Sequence, residues 1–147
     1  MGSITGVVNS PVYLDTNVFV YALEGFERFE AFFGELFKEI QDGRIKAVTS
    51  ELTLAEVLVK PLADGKTEVC TAYAAAVQDS EGLEVVPVTR DVLVEAAGIR
   101  AKTGARLPDA IHIATAMASG CQSFLTNDRS IREIPDMRVV FLSDIAG

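Results

Sequence analysis

Short apolar runs alternate along this chain with longer stretches in which apolar residues recur every three or four positions. The short runs, at 12–15, 45–49, 83–88, 123–126 and 139–142, read as five strands. The longer patterns predict helices over 26–42, 51–60, about 64–79, 90–102 and 108–119, with a further helix through 18–23. Pro61 is expected to stop the helix over 51–60, and Gly120 to end the one over 108–119. Alternation of this kind predicts an α/β protein, a three-layer sandwich with a central five-stranded parallel sheet between helices.

Ligands of open α/β sheets bind outside the carboxyl ends of the strands. Two acids stand there: Asp15, after Val12-Tyr13-Leu14, and Asp128, after Leu125-Thr126-Asn127. Two more fall on the helices. Glu56 lies among Leu52, Leu54, Ala55, Leu58 and Val59, with Ser50 as the expected N-cap. Asp109 follows Pro108 in the first turn of its helix, where the dipole favours an ionised acid. Each has an ordinary structural alternative. Asp15 could cap a helix, unless Thr16 or Asn17 does so. Glu56 could pair with Lys60 four residues on, Asp109 could simply complement the dipole, and Thr-Asn-Asp is a common turn composition. His112, three residues after Asp109, is expected to hydrogen-bond within the helix packing rather than bind a metal. Carboxylates in apolar surroundings are costly, and several together repel. A divalent cation would remove both penalties.

No glycine-rich fingerprint follows the first strand, which argues against a dinucleotide site. The net charge of −8 argues against a general nucleic-acid coat. Nearly all of the excess acid lies before residue 91. Between Gly98 and Pro108 there is no acid, and Arg100, Lys102 and Arg106 form the best candidate for a local RNA contact. Cys70 and Cys121 lack Cys or His neighbours at ligand spacing and read as small buried hydrophobes in a reducing, cytoplasmic setting. No apolar run approaches membrane-spanning length. Residues 1–10 carry neither a basic cluster nor an apolar stretch and read as an N-terminal lead-in rather than a secretion signal; the domain is expected over 11–143. Finally, Phe26, Phe29, Phe32, Phe33, Leu36, Phe37 and Ile40 fall on one helical arc. The arc is either core or, in part, an exposed groove for a partner helix.

The blocks Leu14-Asp15-Thr16-Asn17, Glu51 to Val57, Pro108-Asp109-Ala110-Ile111-His112-Ile113-Ala114-Thr115-Ala116 and Thr126-Asn127-Asp128, in that order, resemble the successive motifs of PIN-domain nucleases. They are most similar to those of the small VapC-type ribonuclease toxins of toxin–antitoxin pairs. The resemblance implies a five-stranded parallel sheet and a site formed by Asp15, Glu56, Asp109 and Asp128, supported by Thr16, Asn17, Thr126 and Asn127. It also implies carboxylate-bound Mg²⁺ or Mn²⁺, cleavage of single-stranded RNA to 5′-phosphate and 3′-hydroxyl ends, a homodimer, and a small antitoxin protein as partner. One position departs from the pattern. The family often has an aromatic three residues after the last acid, and here that residue is Ile131. The loop after Asp128 is therefore expected to pack less tightly.

Two other functions compete. One is a non-catalytic binding module on the same fold. The other is an aspartyl-phosphate phosphatase of the haloacid dehalogenase type, which wants a second Asp two residues after the nucleophile, where this chain has Asn17.

Overall fold

The computed structural model describes residues 4–145. Five parallel strands form one sheet in the order β3-β2-β1-β4-β5. They are β1 (Val12–Leu14), β2 (Ala47–Ser50), β3 (Leu83–Val86), β4 (Ser123–Thr126) and β5 (Arg138–Phe141). The sequence of each strand matches its place. The three central strands are buried on both faces throughout, as parallel strands sandwiched between helices must be, whereas the edge strands β3 and β5 each have a single buried residue, Val85 and Val140.

The helices are α1 (Thr16–Leu23), α2 (Glu30–Gln41), α3 (Glu51–Ala63), α4 (Thr67–Ala76), α5 (Arg90–Thr103), α6 (Leu107–Ala118) and α7 (Leu142–Ile145). One face of the sheet presents Val12, Leu14, Ala47, Val85, Leu125 and Val140 to a core shared with α1, α2, α3 and α4. The other presents Tyr13, Val48 and Phe124 toward α6, with Ile131 and Ile134 from the loop after β4. Small residues let α5 and α6 pack closely, through Ala96, Ala110 and Ala114. The expected three-layer α/β sandwich is therefore the observed one.

Several boundaries differ from expectation. Pro61 does not stop its helix, since α3 continues to Ala63 with Pro61 buried in the last turn. A proline there forfeits one intrahelical bond near an end that is already losing them, and its ring gains burial. The helix expected from residue 26 begins at Glu30, after a single 3-10 turn over Glu27–Phe29. Edge-on contacts of Phe26 and Phe29 with Tyr21 hold that turn against α1. β3 ends at Val86 rather than Val88, and the short α7 was not anticipated. Ahead of β3, Gly82 has φ +89°, and a Cβ there would collide with the backbone of Ile40, so the turn requires glycine.

The stretch read as a lead-in takes part in the fold from residue 4: Ile4 and Val8 belong to the first core, and Asn9 N donates to Ser123 Oγ. Residues 1–3 lie outside the described residues. Ile131 is buried, so the loop after Asp128 packs firmly without the aromatic. Among the described residues no helix is long and apolar enough to cross a membrane.

The chain runs outward through β1, β2 and β3, then returns to the other side of β1 for β4 and β5. The direction of winding thus reverses between β1 and β4, and their carboxyl ends open a crevice at that switch point.

Candidate active site

Asp15 stands at this crevice, immediately after β1. It is buried and does two things at once. Its Oδ1 accepts from Thr16 N at 2.9 Å, so Asp15 itself caps α1, and neither Thr16 nor Asn17 takes that role. Its Oδ2 accepts from Thr126 Oγ1 at 2.7 Å and from Asn17 Nδ2 at 3.3 Å. Burial raises the Asp15 carboxyl above its ordinary range, against the opposing pull of His112 and of the Thr126 and Thr16 hydrogen bonds, and the charge of Asp109 raises it further. The residue is a carboxylate held by three donors and still short of positive charge.

Thr126 and Asp128 come from the neighbouring strand end. Asp128 N donates to Thr126 Oγ1, while Asp128 Oδ1 accepts from Ser130 N and Oγ, so the turn expected from Thr-Asn-Asp forms. Asn127 faces away from the crevice. Its N donates to Asn17 Oδ1, and its own Oδ1 accepts from Ser143 N and Oγ at the start of α7. Asn17 and Asn127 are thus braces between α1, β4 and α7.

Asp109 occupies the third position of α6, buried beside Ala110. Arg106, the residue before that helix, donates through Nε to Asp109 Oδ2 at 3.2 Å, and its Nη2 lies 3.8 Å from Asp128 Oδ2. Its guanidinium feels Asp109 most strongly and also Asp128 and Glu56. The side chain is 75% exposed, so it is a solvent-facing counter-ion rather than a buried one.

Glu56 does not reach toward Lys60. Its Oε1 accepts from Thr16 Oγ1 at 2.6 Å and lies 2.6 Å from His112 Nε2. Burial acts to raise its carboxyl, but the hydrogen bonds from His112 and Thr16 outweigh that and hold it below the ordinary range. His112 bonds across the helix packing as expected, yet its partners tie it to the acids. Nδ1 sits 2.6 Å from the Tyr13 hydroxyl, and Nε2 lies 3.9 Å from Asp15 Oδ1. Below this level Thr16, Thr53 and Thr49 are joined by hydroxyl contacts that end on the Leu14 carbonyl. Tyr13 and His112 were the residues undervalued in the sequence. The strand period places Tyr13 on the α6 face, opposite Val12 and Leu14, and that was the available signal.

The four predicted acids are therefore brought together through shared partners: Asp15 and Asp128 through Thr126, Asp109 and Asp128 through Arg106, Glu56 and Asp15 through His112. Among the described residues, however, no three acidic, His or Cys side chains converge on one point at metal-ligand distance. The donor chemistry nevertheless fits a hard cation: only oxygen ligands, one of them a buried carboxylate raised by burial, with an exposed and displaceable arginine beside them.

Of the three basic residues expected to meet RNA, Arg100 instead braces the loop, donating to Ala105 O at 2.8 Å. Lys102 and Arg106 line a cleft of 880 Å³ that runs from Asp109 between α5, α6 and the loop after β4, with Arg132 on its far wall. Glu95 and Glu133 also line it.

A family model for the PIN domain matches residues 12–137. The chain belongs to the PIN-domain family. Its fold is shared with solved toxin–antitoxin assemblies. A toxin–antitoxin complex from Klebsiella pneumoniae aligns at 20% identity and TM-score 0.65, covering 89% of this chain and 97% of that one. VapBC2 from Rickettsia felis, solved with a DNA fragment from its promoter, aligns at 17% identity and TM-score 0.68 over 87% and 96%. FitAcB from Neisseria gonorrhoeae aligns at 20% and 0.66 over 90% and 98%. No curated protein matches the sequence.

Proposed function

We propose that this PIN domain is a divalent-metal-dependent endoribonuclease that cleaves single-stranded RNA as the toxin of a VapC-type toxin–antitoxin pair. The observation that carries this reading is the gathering of four acids, from β1, α3, α6 and the β4 loop, at the β1/β4 switch point of a PIN fold. Asp15 and Asp109 would hold Mg²⁺ or Mn²⁺, with Glu56 and Asp128 completing the shell. When bound, such an ion supplies an activated water and neutralises charge developing on the phosphate. The chain's own residues do the rest. Thr126 and Asn17 fix the Asp15 carboxylate, Thr16 and His112 fix Glu56, and Arg106, free to swing, can meet a phosphate in the adjoining cleft. Toxin–antitoxin relatives on the same fold support a small antitoxin as partner, and a homodimer in the cytoplasm completes the reading.

Incubation with single-stranded RNA tests this. Cleavage should require Mg²⁺ or Mn²⁺, stop with EDTA, and leave 5′-phosphate and 3′-hydroxyl ends. Undiminished cleavage in chelator would sink the metal-dependent reading. The alternative of a non-catalytic binding module has one observation in its favour, the Arg106 bridge across Asp109 and Asp128. Metal binding by calorimetry with no cleavage of any RNA would select it. The phosphatase reading has no support at position 17, where Asn17 is spent bracing Asp15 and Asn127.

A further inference from the structure

His112 is the chain's single histidine, and its ring is closed off from solvent. Nδ1 lies 2.6 Å from the Tyr13 hydroxyl, and Nε2 lies 2.6 Å from Glu56 Oε1 and 3.0 Å from Thr16 Oγ1. A neutral imidazole donates through one nitrogen and accepts through the other, while a carboxylate only accepts. Two bare acceptors cannot rest at hydrogen-bond distance in a closed site, so the proton belongs on Nε2. The Tyr13 hydroxyl, which can donate or accept, serves Nδ1 in either charge state of the ring. Tyr13 is itself fully buried and stacked on Phe124 with ring centroids 5.1 Å apart. A chain of contacts thus runs from the rigid centre of the sheet to a flexible side chain on α3.

We propose that His112 is a positioning residue for this site: oriented by the Tyr13 hydroxyl at Nδ1, it presents Nε2–H to Glu56 Oε1 and fixes the rotamer in which Glu56 serves the reaction. Both Thr16 and His112 bind Oε1, and among the described residues none binds Oε2, which stays available at the one-third-exposed end of the side chain. Lys60, one turn further along α3, and Arg106, across the crevice, are cations to which an unclamped Glu56 could turn. The geometry stands alone; its catalytic consequence rests on the nuclease reading above. Partners that orient the groups around a reacting centre commonly change activity by about 10- to 100-fold when removed.

Two measurements on the whole protein test the proposal. With only one histidine, a long-range ¹⁵N–¹H spectrum reports its protonation without ambiguity. Nε2 should carry a proton, and Tyr13→Phe should shift the Nδ1 signal. A wild-type spectrum with Nδ1–H and a bare Nε2 overturns the proposal, whatever the protein cleaves. The second measurement pairs His112→Gln, whose amide nitrogen reaches the place of Nε2, with His112→Asn, whose amide reaches only the place of Nδ1. His112→Gln should keep most of the kcat for RNA cleavage. His112→Asn should lose about 10- to 100-fold in kcat with KM little changed. Equal kcat in two folded variants would reduce His112 to a packing residue. The expected spectrum without RNA cleavage by the wild type would overturn the nuclease reading and support the clamp. If both variants unfold, the wild-type spectrum decides.

Discussion

Thr126 Oγ1 donates to Asp15 Oδ2 over 2.7 Å, and this one hydroxyl joins the ends of β1 and β4 at the crevice. It also accepts from Asp128 N and Asn17 Nδ2. Thr126→Val would strip a buried carboxylate of a donor and two amides of an acceptor. Stability should fall by about 1–3 kcal/mol, as for other unsatisfied buried polar groups. Thr126→Ser keeps the hydroxyl and should stay within about 1 kcal/mol of wild type. Urea melts of the three proteins check this, and equal midpoints for the Val and Ser variants would show that the hydroxyl contributes nothing.

Asp15 and Glu56 should give opposite pH dependences in the metal-free protein. Burial raises the folded Asp15 carboxyl, so as pH rises past the ordinary carboxylate range the unfolded chain loses a proton that the folded chain keeps, and stability falls. Glu56 is held low despite its burial, so its contribution is present above the ordinary range and lost as pH falls through its lowered value. Asp15→Asn removes only the first of these. Whatever constant offset the new amide brings, the variant should gain on wild type as pH rises from about 4 to 7. A difference in melting temperature that is flat across this range would contradict the raised Asp15. At neutral pH, Mn²⁺ should raise the melting temperature of wild type more than that of Asp15→Asn or Asp109→Asn.

What was legible in the sequence followed from local pattern. The central strand Ser123–Thr126 was bounded correctly because its apolar run ends in a turn. Asp15, Asp109 and Asp128 were visible because each sits at or within three residues of an element boundary, and Glu56 because it interrupts an apolar run inside α3. Other features depended on partners distant in the chain. Nothing local tells Glu56 to prefer His112, fifty-six residues away, to Lys60 one turn on. Nothing local shows that Pro61 would be buried in a helix rather than end it. The double service of Asp15, as cap and as ligand of Thr126, needs β4 alongside β1. Arg100, Lys102 and Arg106 looked equivalent as an acid-free stretch, but the fold separates them into one brace, one cleft residue and one counter-ion.

That separation predicts different effects of substitution along the cleft. Arg106→Ala removes a cation that competes for Asp109 and Asp128, so Mn²⁺ should bind more tightly by calorimetry, while single-stranded RNA binds more weakly. Lys102→Ala and Arg132→Ala should weaken RNA alone. For each phosphate that is no longer neutralised, the slope of log affinity against log salt should fall in magnitude by about 0.7 for single strands. Arg100→Ala should leave that slope unchanged. If all four variants kept the wild-type slope, RNA would be held outside this cleft.

The phenylalanine arc divides between core and surface, and this changes what a test of partner binding must use. Phe29, Phe33, Leu36 and Ile40 are buried in the first core, so Phe29→Asp or Phe33→Asp would bury a charge and leave a cavity. Either should cost at least the roughly 3–5 kcal/mol typical of a deleted core Phe, a large share of the stability of such a domain, so a lost partner could not be told from a weakened fold. Phe26 and Phe37 are different, at 46% and 37% exposed. They continue the buried aromatics outward, Phe26 edge-on to Tyr21 and Phe37 stacked on Phe33. They are therefore the positions at which an antitoxin's apolar anchors would find aromatic surface already held in place. Phe26→Asp and Phe37→Asp should each fold with a melting temperature near that of wild type, since the substituted side chain can reach water. If the antitoxin docks here, its affinity should fall by about 10-fold or more in each, which is the loss of roughly 1.4 kcal/mol expected at a minor anchor. Co-purification and calorimetry with the cognate small protein would measure this. Unchanged affinity in both folded variants would place the partner on another face and leave the arc as core with two ragged ends.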